Sequence, residues 1–146
     1  MAETTPAPPV PNARQVVADV LHFTDTGAVA GFGELFAEDA VFELPYAALG
    51  APVVRTGAAE IRAWLSEGSA GRPPRPETTR LSVVYETSDP EVVVVEFEGH
   101  EKESPDGGTY VPRYVSLIRV RAGKIVHYRH YAEPSKWLRV VSGEAP

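Results

Sequence analysis

From Thr78 to Ala132 the chain is written as strand-length runs, each closed by a turn signal. Thr78–Thr87 ends in Ser88-Asp89-Pro90, Glu91–Glu101 is followed by Ser104-Pro105-Asp106-Gly107-Gly108, and Tyr110–Arg121 turns through Ala122-Gly123 into Lys124–Ala132. Connections this short join antiparallel neighbours, because a parallel pair needs a crossover of about a dozen residues or more. The C-terminal part is therefore predicted to be a four-stranded antiparallel meander. Its stretch Glu91–Trp137 also gathers three of the four histidines, together with glutamates and tyrosines. Strands carry polar side chains on a face that meets water or a functional cavity.

Ahead of the meander the pattern changes to helical. Asn12 and Gln15 have the spacing of a capping box, and Val16, Val17, Val20, Leu21 and Phe23 follow at near-helical intervals up to Gly27. A second helix is predicted over Ala28–Phe36, burying Val29, Phe32, Leu35 and Phe36. A short strand is predicted over Ala40–Leu44, stopped by Pro45. Thr56 is read as the N-cap of a third helix with Ile61, Trp64 and Leu65 on one face. The stretches Ala47–Arg55 and Ser66–Pro76 read as loops. Helices followed by an antiparallel sheet give an α+β fold, with a pocket between the layers where the sheet curves. The expected organisation is a Pro-rich disordered tail over 1–11, one domain over 12–140 and a flexible C-terminus over 141–146.

The totals narrow the function classes. A length of 146 residues with 43% hydrophobic content suits one domain around one core. A net charge of −6 with scattered Lys and Arg argues against nucleic acid as a partner. The absence of cysteine excludes disulfides, thiolate ligands and Cys nucleophiles. No apolar run approaches the roughly 20 residues that cross a bilayer, and the start lacks the pattern of a signal peptide, so cytoplasmic residence is expected. Neither a phosphate-binding loop, a dinucleotide fingerprint nor a nucleophile elbow is present.

Three segments carry a resemblance: Phe36-Ala-Glu-Asp-Ala-Val-Phe-Glu-Leu-Pro45, Gly57-Ala-Ala-Glu-Ile-Arg62 and Gly123-Lys-Ile-Val-His-Tyr-Arg-His-Tyr131. Over roughly Val16–Trp137 the chain resembles the SnoaL-like polyketide cyclase branch of the nuclear-transport-factor-2-like superfamily, which also holds ketosteroid isomerase and limonene-epoxide hydrolase. The resemblance implies a cone-shaped fold, N-terminal helices packed on a curved antiparallel sheet that encloses a cavity. It also implies work without metal or cofactor. In such relatives an acidic residue of the last strand faces the cavity as proton acceptor, and the matching residue here is His130. The Arg and Asp of the epoxide hydrolases correspond to Glu98 and His100, and their Tyr and Asn to Phe42 and Leu44, which argues against epoxide hydrolysis by that route. The scaffold itself serves isomerases, cyclases, dehydratases, hydrolases and binders, so it does not fix the reaction.

The candidate site follows from this frame. With His130 facing the cavity, period-two alternation brings Tyr128 and Val126 to the same face and turns His127, Arg129 and Tyr131 away. An apolar setting favours the neutral imidazole, which suits a general base; the alternative is a hydrogen-bonded core histidine. Glu96, Glu98 and His100 share one strand face, from which Glu98 or His100 would return the proton; the alternative is an exposed sheet face with Val93, Val95 and Phe97 buried behind it. Tyr114, Ser116, Tyr46, Trp64, Phe42, Tyr128 and Glu96 are the expected substrate-binding residues, with Tyr114 or Tyr46 as donors to an enolate oxygen. A metal set of Glu98, His100 and His130 is conceivable but nothing in the spacing demands it, and no metal or cofactor is expected.

Val115, Leu117, Val93, Val95 and Phe97 are taken as one apolar outer face, and pairing of such faces in relatives implies a homodimer. The expected activity is isomerisation or aldol-type cyclisation of a small apolar, polyketide-like carbonyl compound. A small-ligand-binding protein of the same fold, or a dehydratase or hydrolase using the same pocket, is the alternative.

Overall fold

The computed structural model describes residues 9–46, 52–69, 79–99, 102–103 and 107–132. His100 and residues 133–146 lie outside the described residues, as does most of the expected Pro-rich tail.

Helix α1 spans Ala13–Thr26 and opens as its sequence says it should. Asn12 accepts from the Gln15 N–H, and the Gln15 side chain accepts from the Asn12 N–H, both at 2.9 Å. Gly27 closes the helix in the left-handed region with φ +69°. The face carrying Val16, Val17 and Val20 is fully buried. Helix α2 is one turn, Val29–Gly33, shorter than the helix expected over Ala28–Phe36. A Cβ added at Gly31 would lie 2.4 Å from the Phe23 ring, so α2 packs against α1 more closely than any larger residue permits.

Strand β1 begins at Phe36 and runs to Leu44, and β2 (Val53–Thr56) pairs with it antiparallel. The start at Phe36 gives β1 a break in register: Phe36 opposes Ile125, while Val41 opposes His127. Phe36, Ala40 and Phe42 have the same parity and are all buried, while Glu38, which alternation would also turn inward, is exposed with Asp39 in the irregular stretch. Thr56 ends β2 and does not cap helix α3 (Ala58–Ser69). The Gly57 carbonyl accepts the first helical bond from Ile61, and the Glu60 carboxylate reaches back to the Thr56 N–H. Ile61 is fully buried, with Trp64 and Leu65 packed beside it.

The remaining strands are β3 (Thr79–Glu86), β4 (Val92–Gly99), the short β5 (Lys102–Glu103) and β6 (Thr109–Tyr110), β7 (Arg113–Arg121) and β8 (Lys124–Ala132). The expected antiparallel order β3, β4, β7, β8 holds. The sheet is nevertheless mixed and six-stranded, in the order β2-β1-β8-β7-β4-β3, because β1 adds to β8 in parallel. The three helices lie on one face of this curved, unclosed sheet, and the core fills the space between: Val16, Val17 and Val20 of α1 and Ile61 of α3 against Phe42, Val93, Val95, Phe97, Ile118, Ile125 and Tyr128. No helix among the described residues is long and apolar enough to cross a membrane.

The hairpin between β7 and β8 turns through Ala122 (φ +51°) and Gly123 (φ +75°), the geometry of a type I′ turn. Ala122 is the one described non-glycine residue with positive φ, and an L-residue with a Cβ pays about 1 kcal/mol there. Ala122→Asn, which tolerates the left-handed region, should raise unfolding stability by roughly 0.5–1 kcal/mol. A urea midpoint that falls would contradict this turn geometry.

Candidate functional site

Strand β7 lies between β4 and β8, and its register decides what meets what. Ser116 stands opposite Val95 on one side and His130 on the other; Tyr114 opposes Phe97 and Ala132; Ile118 opposes Val93 and Tyr128. Tyr128 in turn opposes Phe42 of β1. Residues directly opposed across a ladder share a face. The face of Val93, Val95, Phe97, Tyr114, Ser116, Ile118, Tyr128, His130 and Phe42 is therefore the one turned toward the helices.

On this inner face three polar groups are linked. Ser116 is completely buried (0% exposed), and its Oγ lies 2.8 Å from His130 Nδ1. The same hydroxyl is hydrogen-bonded to the Tyr128 hydroxyl at 3.2 Å. Burial pushes the Tyr128 phenol up to about 12, against the opposing effect of the Ser116 hydrogen bond, so it stays protonated at neutral pH. His130 itself is only half-buried.

Aromatic rings flank this relay on both sides. His130 stacks on Tyr114 with centroids 5.2 Å apart, and Tyr114 stacks on Phe97 at 5.0 Å. In the other direction Tyr128 stacks on Phe42 at 5.2 Å, and Phe42 meets Trp64 of α3 at 5.3 Å. The Arg55 guanidinium sits 5.6 Å over the Trp64 ring. A flat or aliphatic molecule against these rings would meet one titratable nitrogen base among hydrocarbon. Such a surface can bind apolar ligands, and a neutral imidazole there can accept a proton.

Of the residues singled out from sequence, His130, Tyr128, Ser116, Tyr114, Phe42 and Trp64 come together here. Glu96 and Glu98 do not: they lie on the opposite face of the sheet, Glu96 exposed and Glu98 within 3.3 Å of Arg113. The reason is the β4–β7 register, which pairs an odd position of β4 with an even position of β7, so Ser116 and Glu98 cannot both point inward. The same register divides the apolar face assumed from sequence. Val93, Val95 and Phe97 face the helices, while Val115 and Leu117 face outward. Tyr46 is exposed, with its ring 5.6 Å from that of Tyr131, which shares the outer face with Val115. Glu98 and His130 stand on opposite faces and His100 is outside the described residues, so the conceivable metal set is not assembled; among the described residues no group of three or more His, Asp or Glu is placed to hold a metal ion.

The expected division of β8 holds: His127 and Arg129 turn away from His130. They bind Glu43 on the outer face, His127 Nε2 at 3.0 Å and Arg129 Nε at 3.2 Å. Partial burial raises the Glu43 carboxyl, but these two hydrogen bonds and charges outweigh it and hold the group below the usual carboxylate range. Of the two sequence readings of β4, the alternative holds: Val93, Val95 and Phe97 are buried behind the face that carries Glu96 and Glu98. The run Val92–Val95 is apolar at every position, and without the register it gives no sign of which residues face the helices.

Comparison with known proteins agrees with this architecture. Residues 17–128 match the SnoaL-like domain. An uncharacterized PhzA/B-like protein of Pseudomonas aeruginosa is 31% identical over 134 residues, covering 90% of this chain and 92% of that protein. The crystal structure of a phenazine biosynthesis-related protein from Pseudomonas aeruginosa superimposes with a TM-score of 0.68 at 25% identity, over 92% of this chain and 83% of that one. A protein of ketosteroid isomerase-like fold from Catenulispora acidiphila, solved with trimethylamine, shares the fold with a TM-score of 0.58 at 22% identity, over 85% of this chain and 89% of that one. The chain is a member of the SnoaL-like family, built on the ketosteroid isomerase-like, nuclear-transport-factor-2-like fold.

Proposed function

We propose that this protein is a cofactor-independent acid–base enzyme acting on a small apolar carbonyl compound, with His130 as the general base. The observation that carries the reading is a half-buried imidazole, hydrogen-bonded through Nδ1 to a buried serine and stacked on the Tyr114 ring, on the helix-facing side of the sheet. In the reaction His130 takes the proton from the carbon next to the carbonyl, and the C–H electron pair becomes the enolate. The Tyr114 hydroxyl, on the ring beside the base, donates to the enolate oxygen. In an isomerisation the imidazolium returns the same proton to a different carbon. In an aldol-type closure the enolate carbon bonds to a second carbonyl carbon of the same molecule, and the imidazolium proton goes to the new alkoxide. Both balance with one base and no added reactant. Glu98, on the outer face, is not used. A relative related to phenazine biosynthesis fits a role in secondary metabolism.

A second reading, a non-catalytic binder of small apolar ligands, draws support from the placement of both β4 glutamates on the outer face, away from His130. Solvent-deuterium incorporation separates the two. Proton NMR of cyclic ketones and β-dicarbonyl compounds should show exchange at the carbon next to the carbonyl with wild type, falling at least about 100-fold with His130→Ala. Binding without exchange in wild type would favour the binder.

We further propose a homodimer formed by packing two outer sheet faces. What supports it is an apolar cross-strand row partly open to solvent, Tyr85, Val94 and Leu117, beside a second row in which Val83 and Val115 flank the exposed Glu96. Val115 is 38% exposed and tolerates a charge within the monomer, so Val115→Asp should give a folded monomer by light scattering. A folded variant that stays fully dimeric would place the interface elsewhere.

A further inference from the structure

We infer that Arg55 and Trp64 form an anion subsite at one end of the inner face, and that the ligand is an apolar carbonyl compound carrying a carboxylate several bonds from its reacting carbon. The inference rests on the proposed reading of the inner face as the ligand site and names the class of molecule that site takes.

Arg55 differs from the other cations in having no counterion. Arg14, Arg62, Arg113, Arg119, Arg121 and Arg129 each lie within 3.7 Å of a carboxylate. Arg55 has no carboxylate partner among the described residues. Its guanidinium donates to the Val54 carbonyl at 3.1 Å and sits 5.6 Å over the Trp64 ring, and neither contact neutralises the charge. Glu60, close by in sequence, is turned to the Thr56 N–H at 3.1 Å. Across the sheet the row of Arg55 runs through Phe42, Tyr128, Ile118 and Val93. The first carboxylate on that row is Glu86, on the far edge strand, and it pairs with Arg14.

The same row fixes the side of the sheet. Arg55 opposes Phe42, so it leaves β2 toward the helices, and Trp64, on which it rests, is the ring that meets Phe42 at 5.3 Å. Arg55 is half-buried there. A guanidinium stays charged at any working pH, and against a ring it gives up part of its hydration. A carboxylate held in the fork of its N–H groups restores what is lost through two charge-assisted hydrogen bonds. With a net charge of −6 the molecule as a whole repels anions, so an anion that binds needs such a local cation. The ladder also sets the length of the ligand. One strand, β1, separates β2 from β8, and His130 lies two residues beyond the row of Arg55, which puts the two backbones roughly 12 Å apart. In the parallel pair Leu44 follows Phe42 as His130 follows Tyr128, so Leu44 lies between the base and β2. Leu44 and Trp64 are both half-buried, an apolar floor for the body of a ligand that reaches from His130 to Arg55.

The probe is a cyclohexanone bearing a para-carboxyphenyl group, compared with its methyl ester, which keeps the shape and removes the charge. In calorimetric titrations at low salt, wild type should bind the acid at least about 10-fold more tightly than the ester. In Arg55→Gln the acid should fall to the affinity of the ester, while the ester itself changes by less than about twofold. Arg55→Lys should keep part of the preference, because it retains the charge and loses the fork. Arg55 stands on an edge strand and is only half-buried, so these variants should fold, which circular dichroism checks. Equal binding of acid and ester by wild type, no binding of the acid, or a preference that survives Arg55→Gln would overturn the inference. Solvent-deuterium exchange on the same two compounds reads the proposed base separately. Exchange on both compounds with equal binding would remove the subsite and leave His130 as base. An acid preference that is lost in Arg55→Gln, with no exchange by wild type, would retire the enzyme reading and leave the subsite standing.

Discussion

The register of β7 against its two neighbours is the constraint on which the rest of the molecule depends. One row, Val95–Ser116–His130, fixes which residues face the helices across three strands. A slip of one residue between β4 and β7 would send Val93, Val95 and Phe97 to the outer face and bring Glu96 and Glu98 into the core. Burying unpaired carboxylates costs several kcal/mol each, so the core itself selects the register. The hydrogen bond between Ser116 and His130, the aromatic stack from Trp64 to Phe97 and the composition of the outer face all follow from it.

The two faces divide the chemistry. Inward, the polar groups of the row are few and linked to each other among aromatic rings. Outward, charges are numerous and paired: Glu43 with His127 and Arg129, Glu98 with Arg113, and Asp89 and Glu91 with Arg119 and Arg121. Exposed pairs of this kind contribute little to stability one by one. Among them lies an apolar strip, Tyr85, Val94 and Leu117, with Val115 beside the exposed Glu96.

Much of the fold was legible because its signals are local. Asn12 and Gln15 cap α1 through bonds that span three residues, Gly27 ends it, and short turns force antiparallel neighbours. The site was legible on β8, where alternation alone separates Tyr128 and His130 from His127 and Arg129. What could not be read depends on partners distant in sequence. The parallel addition of β1 to β8, the register break after Phe36 and the existence of β2 are set by tertiary pairing. The facing of β4 is set by its register against β7, and Val92–Val95 has no polar residue to betray it. Ser116 looked like pocket lining for the same reason: parity was right, but burial and the link to Tyr128 are properties of the assembled row.

The most direct test of this account asks which sheet face a ligand meets. A small cyclic ketone titrated into protein with methyl-labelled valines and ring-labelled histidine and tyrosine should shift the signals of Val95, Tyr114 and His130 saturably. Val94 and Val115 should stay where they are. Saturable shifts at Val94 and Val115 with His130 unmoved would mean that the inner face is only core, and that both the site and its proposed chemistry have been assigned to the wrong side of the sheet.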